Sequence, residues 1–153
     1  METKHGRRLA ATFGAETIFI LNSKENDSDF GLRYFVPNYE MEMCVHGTIA
    51  ATTVLKKMGR IFKTPVKIET VIGQITVNWK DENDELKVIV FQFPPKVSDI
   101  NPTMEEVCSA LRIPLTAIAK NKEPIVAVST SRSKLIVPII SRKLLDQIEP
   151  DFE

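Results

Sequence analysis

Two side chains of this 153-residue chain have the type and setting to move a proton. Glu16 follows Gly14-Ala15 and opens an apolar run, Thr17-Ile-Phe-Ile-Leu21. A carboxylate at a strand end, partly buried in an apolar cleft, has a raised pKa and can act as a general acid or base. The same glutamate read alone is an ordinary exposed strand-end residue. His46 falls in the first turn of a small-residue, apolar segment that reads MCVHGTIAATTVL. The positive end of a helix dipole and burial both oppose its protonation, which predicts a neutral imidazole able to donate or accept a hydrogen bond. A helix-terminal core histidine satisfied by backbone is the plainer alternative. Cys44 stands just before it, where a helix N-terminus lowers a thiol pKa and favours a nucleophile or an acid/base thiol; a small packed residue is the alternative. Ser129 and Thr130, beside Arg132, supply hydroxyls and a cation that can hold a carboxylate, or else form a solvated hairpin turn.

Other chemistries find little support. The two histidines, His5 and His46, have no ligand at a recognised spacing, so no metal site is expected. No Walker loop, dinucleotide-binding glycine pattern or nucleophile elbow is present. Twenty basic and 20 acidic residues cancel and the basic ones are scattered, which argues against nucleic acid or an anionic membrane. No run is long and apolar enough to span a bilayer, and no secretory signal opens the chain. Cys44 and Cys108 belong to no paired motif, which predicts free thiols in a reducing cytosol.

The elements that must position these groups follow from periodicity. Leu9, Ala10 and Phe13 recur at helical spacing, predicting a helix over the opening fourteen residues with Gly14 as its stop. Strands are predicted at Thr17–Leu21 and Gly31–Val36, the second alternating as a half-buried strand does. The segment Cys44–Gly59 predicts a helix apolar nearly all round and hence buried centrally, with Lys56, Lys57 and Gly59 at its exposed end. Glu40 or Glu42 could cap it. Strands follow at Val66–Val71, Gln74–Lys80 and Leu86–Phe93, joined through Gly73 and an acidic turn at Asp81–Glu85. Further on come a helix over Pro102–Arg112, a hairpin of Ile125–Ser129 with Lys134–Ile140, and a helix over Ser141–Ile148. With 43% hydrophobic residues, the chain reads as one α+β domain over 1–153. A strongly curved, barrel-like antiparallel sheet around a central buried helix satisfies the pattern, since it hides the helix and removes sheet edges. A plain two-layer α+β sandwich is the alternative.

Several of these segments together resemble one family. Ala15-Glu16-Thr17-Ile18-Phe19-Ile20 is similar to a segment usually seen as SETTF followed by apolar residues. Pro37-Asn38-Tyr39-Glu40-Met41-Glu42-Met43-Cys44-Val45-His46-Gly47-Thr48 resembles the family's TPxxELPFxGHPT, in its cysteine variant. The separation of 30 between Glu16 and His46 (46 − 16) also fits. Val126–Ser131 through Leu135–Pro138 resembles a later hairpin of the same domain, and Leu145–Glu153 the passage leading out of it. The family is the phenazine-biosynthesis isomerase-like group, with the diaminopimelate epimerase fold of two similar halves around a cleft.

The resemblance implies a cofactor-free isomerase of small carboxylates, of which a dihydro-hydroxyanthranilate is the best-known. It implies Glu16 as general acid/base and His46 as the group that places the substrate. Cys44, Val45, Gly47, Thr48, Ser129 and Thr130 would line the substrate site, with amides at the helix start holding a carboxylate. Ala15 and Val45 replace the family's serine and glycine. A second half carrying an aspartate in a DPxTG-like motif, and an opening strand with a GNP turn, are not found in this sequence. The expectation is therefore the N-terminal half of a site, completed by a second half-domain or a second copy. A non-catalytic domain that binds a small ligand or self-associates is the competing reading. A cysteine-dependent racemase would need a second thiol opposite Cys44, and Cys108 on its amphipathic helix is poorly suited to that.

Overall fold

The helix at the start of the chain, α1 (Thr3–Phe13), carries Gly6 and Ala10 on its buried side. It ends where expected, because Gly14 adopts the left-handed conformation (φ 61°) that a side chain disfavours. The computed structural model describes residues 2–83, 85–99, 101–119 and 125–151. Met1 of the expected opening helix, Asp84 of the acidic turn and the last two residues of the chain lie outside them. The chain divides into two units, Met1–Phe93 and Pro94–Glu153.

In the first unit, β1 (Thr17–Leu21) pairs antiparallel with β2 (Phe30–Phe35), which also pairs with the two-residue β3 (Glu40–Met41). The helix α2 (Val45–Lys57) then carries the chain across the sheet, so β4 (Val66–Thr70) runs parallel to β2. β5 (Gly73–Glu82) and β6 (Glu85–Phe91) complete an antiparallel meander. The result is an α+β unit with a six-stranded, strongly curled half-barrel sheet in the order β1-β2-β4-β5-β6, β3 lying off β2. One pair in the sheet is thus parallel where an all-antiparallel sheet was expected.

The core is the concave side of that sheet. Leu32, Tyr34, Val66, Ile68, Ile75 and Val77 are at most 2% exposed and enclose Ala51 and Leu55 of α2 with Cys44 just before it. Burying side chains of this size is the main stabilising contribution to the unit, about 1.5–3 kcal/mol for each large aliphatic one. α2 is not buried all round. Gly47, Thr48, Ala51, Thr52 and Leu55 form the buried stripe, while Ile49 and Val54 face solvent. Their spacing of three and four residues is that of one helical face.

β2 also departs from expectation. It is buried at nearly every position rather than at alternate ones. Its inner residues face α2, and on the other side Phe35 packs against α1 so closely that a Cβ on Gly6 would lie 2.6 Å from the ring. Phe19 meets Phe35 edge to face at 5.6 Å on this outer layer. Glu40 does not cap α2. Its carboxylate receives Arg33 Nε and Nη2, each at 2.6 Å, and the Thr3 hydroxyl at 3.1 Å, which ties α1 to β2 and β3.

The second unit holds β7 (Lys96–Val97), α3 (Met104–Leu111), one 3-10 turn (Leu115–Ala117), β8 (Val126–Ser129), β9 (Lys134–Ile136) and α4 (Arg142–Leu145). Strand order is β7-β8-β9, all antiparallel. Thr103 and Glu106 form a reciprocal capping box that sets the start of α3. The expected second hairpin strand stops at Ile136 because Pro138 has no N–H for the ladder. Ile139 instead forms an isolated bridge to Ile118. The last helix is half its expected length.

Candidate active site

Three sequence-predicted residues converge at the N-terminus of α2. Glu16 immediately precedes β1, two residues before Ile18, whose side chain faces Gly47 of α2. Side chains of a strand alternate, so Glu16 shares the face of Ile18 and points toward the helix start. His46 is the second residue of α2 and Cys44 its N-cap, in extended conformation (φ −138°, ψ 106°). The Glu16 Oε2 lies 2.6 Å from His46 Nε2. The Cys44 Sγ lies 3.5 Å from the same carboxylate oxygen and 3.4 Å from His46 Nε2.

Cys44 performs the capping role. Its sulfur accepts the Gly47 N–H at 3.3 Å, in a place where serine, threonine or aspartate is more usual. Gly47 has no room for more. A Cβ there would lie 2.7 Å from Ile18 Cγ1 and 3.0 Å from the Cys44 sulfur. Below this turn, Thr48 donates to the Cys44 carbonyl at 2.8 Å and stands 2.8 Å from the Tyr34 hydroxyl. The sheet floor therefore fixes the helix start that presents the thiol and the imidazole.

The electrostatics differ from expectation at two points. Burial pushes the Cys44 thiol up from its ordinary 9.0; the Gly47 N–H pulls the other way and the Glu16 carboxylate adds a further upward push. The thiol, only 4% exposed as a residue, is thus held protonated and donates to Glu16, the reverse of an activated helix-terminal thiolate. His46 is not a buried imidazole. Its side chain is 78% exposed, and that of Glu16 is 38% exposed.

The other expected site residues are placed as follows. Val45 is half-buried as the first residue of α2, where its amide and that of His46 have no carbonyl partner within the helix. The Gly47 amide is already engaged by sulfur, and Thr48 is fully buried with its hydroxyl engaged on both sides. Ser129 ends β8 and Thr130 begins the bend after it, both half-buried, in the second unit. Among the described residues, Glu16, Cys44 and His46 form the one group of three side chains whose ligand atoms could converge on a metal ion. Spacing in sequence could not show this, because Glu16 reaches the pair through the register of β1 against the sheet. Cys44 and Cys108 are both free, and no described helix is long and apolar enough to cross a membrane.

The family model described as Phenazine biosynthesis-like protein matches residues 4–153. The chain belongs to this family. An uncharacterized isomerase of Clostridium acetobutylicum is 30% identical over 141 residues, covering 91% of this chain and 46% of that relative. The uncharacterized isomerase YddE of Escherichia coli K12 is 28% identical over 142 residues, covering 90% and 46%. The chain spans about half the length of the curated relatives it matches. Among solved structures, a Bacillus anthracis phenazine biosynthesis protein of the PhzF family matches with a TM-score of 0.73 at 27% identity, over 99% of this chain and 50% of that one. A predicted epimerase of Pseudomonas aeruginosa matches with a TM-score of 0.74 at 14% identity, over 99% and 54%, a likeness of fold.

Proposed function

We propose that this chain supplies half of the active site of a cofactor-independent isomerase, with Glu16 as the group that carries the proton. The observation that supports this most is the 2.6 Å approach of Glu16 to His46 at the open start of α2, in a chain whose relatives bear the name isomerase. The substrate is a small carboxylate, of the dihydro-hydroxyanthranilate type. Its carboxylate would meet the unpartnered Val45 and His46 amides, where the helix dipole favours an anion. Glu16 takes a proton from an activated carbon. The C–H electron pair moves into the neighbouring π system, and a second carbon then receives the proton from the Glu16 carboxylic acid. Glu16 returns to its starting state, and no oxidant or reductant is needed. His46 hydrogen-bonds the substrate and holds the Glu16 carboxylate in line. The protonated Cys44 thiol steadies that carboxylate from beneath.

With His46 so exposed, the pair lacks the wall that would exclude water during proton transfer. A second half-domain or a second copy would supply it. The half-length match to the relatives supports the same reading. Two free cysteines are in keeping with a cytosolic protein. A domain that only binds a small ligand or self-associates is the second reading, favoured by the same exposure. Replacing Glu16 by glutamine separates the two. Turnover of the carboxylate should fall by about 10²–10⁴-fold, the usual worth of a positioned acid/base, while binding persists. Unchanged turnover overturns the isomerase role of Glu16.

A further inference from the structure

The three side chains that meet at the start of α2 have a second capability, which rests on no reaction. Cys44 Sγ, His46 Nε2 and Glu16 Oε2 are separated by 3.4, 3.5 and 2.6 Å. Around a tetrahedral zinc ion with ordinary bond lengths, sulfur–nitrogen and sulfur–oxygen edges are both about 3.5 Å, and the nitrogen–oxygen edge is about 3.3 Å. Two of the three edges therefore already match. The third must open by about 0.7 Å, given those bond lengths. Exposure of the His46 side chain leaves it free to make that movement. Both ring nitrogens lie within 3.6 Å of the sulfur, so a turn of the ring aims a lone pair at the ion.

We propose that Glu16, Cys44 and His46 form a three-ligand site for Zn²⁺, with the fourth position open to water or a substrate carboxylate, and that zinc occupancy blocks proton transfer by Glu16. The donor set suits the ion: thiolate and imidazole are both ordinary zinc donors, and three protein ligands with one open position is the pattern of accessible zinc sites. Charge also balances. On binding, the Cys44 thiol releases its proton to solvent, and the resulting thiolate and the Glu16 carboxylate neutralise the dication, so the positive end of the α2 dipole is not set against a net positive centre. The Gly47 N–H donated to the sulfur is the outer contact that orients such a ligand. Inhibition follows because the lone pair that would accept the substrate proton is held by the metal; only this last step depends on the isomerase reading.

The test is titration of the tag-free protein with Co²⁺ and then Zn²⁺, followed by absorption spectroscopy and calorimetry. One ion should bind per chain, with a thiolate-to-cobalt charge-transfer band that Zn²⁺ removes by displacement. Cys44→Ser should abolish the band. His46→Gln and Glu16→Gln should each weaken Zn²⁺ binding at least about tenfold, the smallest loss seen even for outer-shell changes. Cys108→Ser and His5→Gln should bind as the parent does. No band, a band that survives Cys44→Ser, or full affinity in both His46→Gln and Glu16→Gln overturns the site. Circular dichroism checks each variant's fold; should Cys44→Ser not fold, the two variants of exposed side chains decide. Tight binding together with turnover that saturating Zn²⁺ leaves intact overturns the inhibition while the site stands. A failed isomerase assay does not touch the binding result.

Discussion

The Tyr34 hydroxyl lies 2.8 Å from the Thr48 hydroxyl, inside the unit, and Thr48 donates its own O–H to the Cys44 carbonyl. Tyr34 is therefore the donor in the pair, and a three-group relay runs from β2 to the cap of α2. The two ends of the relay should not be equal in a mutant. Tyr34→Phe removes the donor but leaves Thr48 still donating, and should cost about 0.5–1.5 kcal/mol. Thr48→Val leaves a buried phenol without an acceptor, and should cost about 1–3 kcal/mol. Urea unfolding of both variants checks this; an equal or reversed order contradicts the relay.

Burial also pushes the Tyr34 phenol up from 10.0 to about 12. The folded protein thus holds this group neutral after the unfolded chain would ionise it. Stability from this source is complete below pH 10.0 and is lost as pH rises through about 12. Unfolding free energy measured across that window should fall more steeply in the parent than in Tyr34→Phe. Parallel curves would show that the phenol is not held neutral by the fold.

Gly47 keeps its place through close contact rather than backbone freedom. A methyl group there meets Ile18 at 2.7 Å, and Ile18 itself packs on the core. Gly47→Ala should cost about 1–3 kcal/mol, as overpacked sites do, and should displace the cap that presents Cys44 and His46. Thermal unfolding reads the first effect. A variant as stable as the parent would mean that β1 yields at no cost.

The Arg33–Glu40 pair joins α1, β2 and β3. The Arg33 guanidinium holds the Glu40 carboxyl below its ordinary 4.5, against a smaller opposing effect of burial. Because the folded pKa is depressed, the stabilisation is present above pH 4.5 and is lost as pH falls through the lower folded value. Glu40→Gln should cost about 1.5–3 kcal/mol near neutral pH, the range for hydrogen bonds to charged groups, and progressively less in acid. A gap that stays constant on acidification contradicts the pairing.

Much of the fold was legible where the cause is local. The boundaries of α2 follow from a run of small and apolar residues closed by Lys56, Lys57 and Gly59, and the meander follows from strands broken at Gly73 and at the acidic turn. What the sequence hid depends on contacts between distant segments. β2 is buried on both faces only because α1 docks on Phe35. Glu40 reads as a helix cap until Arg33 is seen beside it. Cys44 reads as an activated thiol until Glu16 is placed against it, and then burial and a neighbouring negative charge reverse its titration. Of the candidate site, Glu16 and His46 were legible as a pair through the resemblance and their separation of 30, with Cys44 among the lining residues. Their convergence with Cys44 depends on the sheet register, which no spacing in the chain discloses.

The central claim is that Glu16 carries a proton. Its most direct measurement is conversion of the dihydro-hydroxyanthranilate in D₂O, followed by NMR, with the protein at its native length and with its Glu16→Gln variant, equally folded by circular dichroism. The parent should convert the substrate, with the receiving carbon carrying the returned proton or solvent deuterium, and the variant should convert none. Equal conversion by both, or by neither, contradicts the account.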